Sequence, residues 1–378
     1  MSKSRKSAMD VNLLLAVIVL LVFGLIMVYS ASSYEASLKF DDPSYYLRSQ
    51  ARATALGVIV MLIVSKVDYH FLRKIAVPSY IISLFLVLLV KTPLGITRNG
   101  ARRWLGVGAL SFQPAEAAKV GVILFAAALL CGKKGAKITN DWIKNIITMA
   151  AIGGIPALML YAITSNLSSA IIVFGIAVVM FFVASPKYWY FLLGGAGAIG
   201  LGALVVKFVT GGELSPGAGF RLTRIRAWLN PEAYASGTGY QTLQSLYSIG
   251  AGGIFGKGLG QSTQKLGFVP EAQNDMIFSI VCEELGLFGA TAILILFMIL
   301  IWRFMVVANN APDRFGALLV VGIMGHIAIQ VILNIAVVTN SIPNTGITLP
   351  FISFGGTSVL FLLGEIGIAL NVSRSIQI

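Results

Sequence analysis

Charged side chains are scarce in this sequence. Asp, Glu, Lys and Arg make up 11% of its 378 residues, whereas a soluble domain carries about a quarter. That scarcity excludes an ordinary water-soluble globule. Cysteine is scarcer still: Cys131 and Cys282 are the only two, and both fall inside apolar runs. A disulfide framework is therefore excluded, and both read as small packing residues. With two histidines, no Cys/His cluster exists to build a dedicated zinc site. Acidic residues number 15 against 28 Lys and Arg, for a formal charge of +13. In so apolar a chain that excess reflects topology and anionic headgroups. No nucleic-acid-binding motif accompanies it.

What the chain has in abundance is hydrophobic length. It is 57% hydrophobic, and apolar runs of at least about 18 residues recur, each able to cross a hydrocarbon core about 30 Å thick. The expectation is an all-α polytopic membrane protein, one domain over 1–378. It has about ten transmembrane helices, at roughly 11–31, 52–66, 74–91, 115–132, 144–163, 168–184, 188–208, 275–307, 314–338 and 351–371. The first run follows Lys3, Arg5 and Lys6. It is too long for the core of a signal peptide and more spans follow, so it reads as an uncleaved first helix. Basic short loops at Lys66 to Lys74, Lys133 to Lys144, Lys187, and Arg303 to Arg314 alternate as cytoplasmic loops do. Both termini are thus expected on the cytoplasmic side of a plasma membrane, with Tyr188, Trp189 and Tyr190 in an interfacial belt.

A polar stretch over 209–274, between spans seven and eight, becomes a long extracytoplasmic loop. Arg98, Arg102, Arg103, Arg221, Arg224, Arg226, Lys257 and Lys265 crowd the same side. Two readings compete: anchoring to headgroups, or binding an anion such as a pyrophosphate. Within the loop, Leu222, Ile225 and Leu229 recur at helical spacing among arginines, which predicts a short interfacial helix. A second is expected near Tyr240 to Ile249. The glycine-rich run from Gly250 to Gly260 fails the Walker pattern, since Lys257 is followed by Gly258. Its glycines permit tight turns instead.

Four segments carry the remaining polar chemistry. Gly100 to Lys119 ends with Glu116 and Lys119 on one helix face, either a structural ion pair or a substrate contact. Thr164 to Ser169 is a short turn with capping chemistry. Gly260 to Asp275 runs straight into an apolar span, where Asp275 is either a helix cap or a reactive carboxylate. Glu283 and Glu284 follow two turns deeper, where a carboxylate is expensive. Ile342 to Ser358 holds prolines and glycines that imply a broken, re-entrant segment.

Together these segments resemble the FtsW/RodA/SpoVE family of shape, elongation, division and sporulation glycosyltransferases. The resemblance spans nearly the whole chain and rests on Gly100-Ala-Arg-Arg-Trp104, Phe112-Gln-Pro-Ala-Glu116, Gly239-Tyr-Gln241 with Gln244-Ser245, Pro270-Glu-Ala272 with Asp275, and Thr348-Leu-Pro-Phe-Ile-Ser353 with Gly355-Gly356. Arg102-Arg103 and Pro270-Glu-Ala272 look more like the FtsW/SpoVE branch than RodA. The family implies a membrane enzyme that polymerises lipid II into peptidoglycan and releases undecaprenyl pyrophosphate. Its partners would be a class B penicillin-binding protein, other division or sporulation proteins, and membrane lipids. The family's essential aspartate matches Asp275, and its fourth-span Glu and Lys match Glu116 and Lys119. Arg102, Arg103, Asn166, Gln264, Lys265 and Ser353 complete the expected substrate contacts. No resident metal is expected, although a divalent cation (Mg2+ or Mn2+) could share the leaving-group charge. The chain departs from the family at Asn166, where a carboxylate is usual, leaving Glu116 as the partner for Lys119. Lipid II translocation and a non-catalytic scaffold for the penicillin-binding protein are the competing functions.

Overall fold

The computed structural model describes residues 9–98, 100–107, 110–211 and 220–376. Helix α1 (Val11–Phe40) starts at Asp10, whose carboxylate accepts from the Leu13 amide and pairs with Arg303 at 2.5 Å. Its 30 residues span about 45 Å, so the last turns run well past a hydrocarbon core of about 30 Å. Helices α2 (Tyr45–Val64) and α3 (His70–Leu89) follow.

The next loop folds as a small antiparallel sheet, β1 (Gly95–Arg98), β2 (Ala101–Val107) and β3 (Leu110–Phe112), in the order β1–β2–β3. Sequence reading placed no strand there. The signal was an Asn99-Gly100 pair, a strong hairpin signature, between short runs rich in Ile, Thr, Trp, Leu and Val. Gly100 takes φ +73.

Helix α4 (Pro114–Leu130) meets α5 (Lys133–Asn140) at a 92° bend. Helices α6 (Trp142–Met149) and α7 (Ile155–Thr164) join through a π-helical turn, Ala150–Gly154, into one span. Then come α8 (Leu167–Ala184), α9 (Trp189–Gly211), α10 (Phe220–Leu229), α11 (Tyr240–Gly252), α12 (Ile277–Asn309), α13 (Arg314–Val338) and α14 (Gly356–Arg374). Among the described residues nine spans are long and apolar enough to cross a membrane, and counting the bent α4–α5 pair gives ten. The two short helices expected in the long loop are α10 and α11. The last helix begins at Gly356, because 342–355 is irregular and buried at Ile347, Leu349, Phe351 and Ile352.

Helices α13 and α14 form the buried centre, packed by α2, α4, α8 and α12. Helix α9 stands at the edge with its side chains exposed, as expected of a lipid-facing span. At one end of the bundle Asn371 bridges the Tyr69 amide and the Ser65 carbonyl, and the Tyr69 hydroxyl donates to Asp313. The opposite end, the loop face, carries the sheet, α10, α11 and the irregular 253–276 and 339–355 segments.

One span is broken. At Gly286, φ +66 and ψ −167 interrupt α12, and the glycine-rich run takes up the freed backbone groups. The amides of Lys257 and Gly258 donate to the Glu283 and Glu284 carbonyls, while Leu287 and Phe288 donate to Gly253 and Ile254. A Cβ on Gly252 or Gly256 would collide with the Cys282 or Glu284 carbonyl. These glycines therefore brace a helix break, which is where their backbone freedom is needed.

Candidate active site

Asp275 lies on the loop face, two residues before α12. The start of that helix takes no side-chain cap at Met276, so the carboxyl is not spent on capping. Its Oδ1 accepts from Gln241 Nε2 at 3.4 Å. Its main-chain oxygen accepts from Asn334 Nδ2 at 2.8 Å. On the other side stands Gly346, where a Cβ would lie 3.7 Å from Oδ2, in ordinary contact. Burial pushes this carboxyl up to about 7, with nearby Glu271 adding to the shift while Arg224 and Gln241 pull against it.

Beside it opens a cleft of about 440 Å³ lined by Arg224, Trp228, Tyr240, Gln241, Pro270 and Asn344, among others. Gln241, on α11, is held on both ends: its amide also reaches the Pro270 carbonyl at 3.3 Å, and Asn344 Nδ2 donates to its Oε1 at 2.9 Å. Arg224, on α10, donates to the Asn344 carbonyl at 3.3 Å. Trp228, one turn on, ties α10 to the Asn340 carbonyl at 2.9 Å. Arg103 reaches from the sheet to the Thr164 and Ser165 carbonyls at 3.2 and 2.8 Å. Burial, then the nearby Arg224 charge, lowers the Arg103 pKa. A partly buried Arg103 thus lies near an exposed Arg224, whose charge in turn acts on Asp275, an arrangement suited to a multiply charged anion.

Deeper in the bundle, Lys119 Nζ lies 2.8 Å from Glu116 Oε2, both buried. Lys119 also reaches Gln330 Oε1 at 3.5 Å. Gln330 Nε2 donates to the Thr348 carbonyl at 3.0 Å, so Oε1 is the end facing His326 Nε2 at 2.9 Å. His326 Nδ1 lies 2.8 Å from Glu365 Oε2. His326, Gln330 and Asn334 thus make a polar ladder up one face of α13, ending under Asp275. Sequence reading did not single out these three. The signal was polar residues at i, i+4 and i+8 in an otherwise apolar span.

The other expected contacts sit elsewhere. Arg102 is exposed and donates to the Thr92 and Gly95 carbonyls of its own hairpin. Asn166 caps α8 through the Ser169 amide at 3.0 Å, a bond that does not involve Lys119. Ser353 closes a turn by accepting from the Leu349 amide at 2.7 Å. Lys265 is buried against Glu284 at 2.8 Å, Ser30 Oγ at 3.0 Å and the Gly260 carbonyl at 2.7 Å. The Gln264 main-chain N–H donates to Glu283, which also takes Lys257 at 2.7 Å and the Thr263 main-chain N–H. The two glutamates of the α12 break are therefore anchors for the 257–265 segment. Among the described residues no group of three or more His, Cys, Asp or Glu is placed to hold a metal ion.

Residues 11–378 match the family described as cell cycle protein, FtsW/RodA/SpoVE. Stage V sporulation protein E of Bacillus subtilis (strain 168) is 42% identical, covering 98% of each chain. The probable peptidoglycan glycosyltransferase FtsW of Trichlorobacter lovleyi is 36% identical over 99% of this chain and 95% of its own. Among solved structures, one described as the structural coordination of polymerization and crosslinking by a peptidoglycan synthase complex superposes with TM-score 0.79. It is 28% identical and covers 98% of both chains. The crystal structure of Thermus thermophilus rod shape determining protein RodA gives TM-score 0.69 at 25% identity, again over 98% of both.

Proposed function

The chain belongs to the FtsW/RodA/SpoVE family, and from that membership together with its site we propose a multi-pass membrane peptidoglycan glycosyltransferase that polymerises lipid II. The observation that carries this reading is a single half-buried carboxyl, Asp275, poised at about 7 beside a cleft that holds Arg224. In the proposed step Asp275 takes the proton from the acceptor's GlcNAc 4-hydroxyl. That oxygen bonds to C1 of the donor MurNAc from the face opposite the diphosphate. The C1–O bond breaks with inversion, and its electron pair leaves with undecaprenyl diphosphate. A base tuned near the working pH suits this role, and charge on the departing diphosphate needs fixed cations. Arg224, whose charge acts on Asp275, and Arg103 beside Arg224 are the cations proposed for this role. A divalent cation bound with the diphosphate would add to this charge stabilisation.

The same reading orients the chain. The loop face lies outside and both termini lie in the cytoplasm, in keeping with the basic short loops. A class B penicillin-binding protein is the proposed partner, because a relative of this fold is described as a complex coordinating polymerization with crosslinking. Polymerisation of lipid II by purified protein, with and without that partner, tests the reading. Glycan strands from wild type but not from Asp275→Asn are expected. Lipid II crossing liposomes without polymer formation would favour a transporter, and no product under any condition would favour a scaffold.

A further inference from the structure

We propose that Asn334 is a positioning residue for Asp275, fixing the carboxyl by clamping two irregular backbone segments together. Two segments without regular structure flank the proposed base: 270–276, which carries it, and 342–355, which faces it. Neither can hold a register by itself. Asn334, fully buried on α13, gives its side-chain amide to both, at 2.8 Å to the Asp275 carbonyl and 2.6 Å to the Ile347 carbonyl. The residue before Ile347 is Gly346, whose α-carbon faces Asp275 Oδ2.

The clamp closes a circuit. Asp275 Oδ1 accepts from Gln241, Gln241 Oε1 accepts from Asn344, and Asn344 Oδ1 accepts from the Gly346 amide at 3.1 Å. The chain then passes to Ile347, back through Asn334, and so to Asp275. Of the side chains in this ring, Asn334 alone stands on a membrane-spanning helix. It therefore references the loop assembly to the rigid core. Both of its donor hydrogens are used on carbonyls of other segments, and losing either would leave a buried carbonyl unsatisfied. Shifting a base by even about 1 Å can slow a reaction about a hundredfold, far more than the strength of one hydrogen bond implies.

This inference rests on Asp275 being the base, and the test separates the two. Asn334→Ala and Asn334→Ser would be compared with wild type in steady-state lipid II polymerisation, normalised to folded protein. In parallel, the Asp275 carboxyl band would be titrated by infrared difference, with Asp275→Asn as blank. Asn334→Ala should lower kcat by about 30-fold or more with KM within about two-fold, the split that marks impaired transition-state alignment and not weaker binding. Its carboxyl should titrate below about 7, because a loosened side chain regains water. Asn334→Ser, which keeps one donor, should fall between; if the alanine variant is not recovered folded, the serine variant decides on the same readouts. Wild-type kcat and an unmoved titration would overturn the proposal, as would a rise in KM matching the fall in kcat. If wild type makes no polymer yet the titration moves in the variants, the enzymatic reading fails and the positioning role stands.

Discussion

Gln241 Nε2 lies 3.4 Å from Asp275 Oδ1, and Asn344 fixes its orientation by donating to the opposite end of the same amide. The amide thus presents a donor to the carboxyl, which favours the ionised form, while burial opposes it. A base works only when deprotonated, so polymerisation should rise with pH and reach half its plateau near 7. Gln241→Leu removes a donor to the carboxylate, and its rising limb should move to higher pH. Asp275→Asn should lower the rate by about 10²-fold or more at every pH. Rate profiles between pH 5 and 9 on purified protein check all three; a wild-type rate already flat across that range would remove the tuned base.

The same carboxyl has a sign to impose on stability. Its folded pKa of about 7 lies above the ordinary 3.8, so between those values the folded state holds the proton more tightly. Stability from this group is therefore present at low pH and lost as pH rises through about 7. Asp275→Asn cannot ionise. It should melt above wild type at pH 8, with the gap closing toward pH 5. Melting in detergent at the two pH values measures this, and an unchanging gap would mean that ionising the carboxyl costs the folded state nothing.

Arg224 touches the Asn344 carbonyl and lines the cleft. If it holds the donor's diphosphate, Arg224→Gln should raise KM for lipid II by about tenfold, the worth of one charge-assisted contact. Arg224→Lys keeps the charge but not the planar fork, and should recover part of that loss. Equal KM in all three proteins would relieve Arg224 of this role.

Glu116 and Lys119 form a buried pair one helical turn apart. Removing either partner leaves an uncompensated charge inside the bundle, typically at about 3–5 kcal/mol, whereas removing both leaves none. Glu116→Gln and Lys119→Met should each lower the melting temperature more than the double variant does. If the pair also contacts substrate, the double variant will fold yet polymerise slowly, which separates scaffold from site.

Much of this was legible in the sequence, for identifiable reasons. Spans were visible because a bilayer imposes length and apolarity on contiguous residues. Helices α10 and α11 were visible because Leu222, Ile225, Leu229, Leu243 and Leu246 repeat at helical spacing. Asp275 stood out as a carboxyl at the edge of an apolar run. The ladder of His326, Gln330 and Asn334 was not seen, since each looks like an isolated polar residue until α14 and the 342–355 segment bring their partners. The role of the glycine-rich run was equally hidden. Only the break at Gly286, far along the chain, explains why Gly252 and Gly256 must lack side chains. Gln264, Lys265 and Ser353 carried motif weight, yet the bonds they make are internal ones fixed by tertiary packing.

Lys265 makes that distinction testable. Its ammonium is buried against Glu284, the Ser30 hydroxyl and the Gly260 carbonyl, joining α1, α12 and the glycine-rich brace. An anchor and a diphosphate ligand predict different losses. As an anchor, Lys265→Met should leave the buried Glu284 without its cationic partner, speeding hydrogen exchange of the 253–265 amides and lowering the melting temperature. Adding Glu284→Gln should recover part of both. KM for lipid II, measured on the folded fraction, should stay within about two-fold of wild type, because uniform binding has not been touched. A tenfold rise in KM with unchanged exchange would instead assign Lys265 to the substrate, and would require the 257–265 segment to open during turnover.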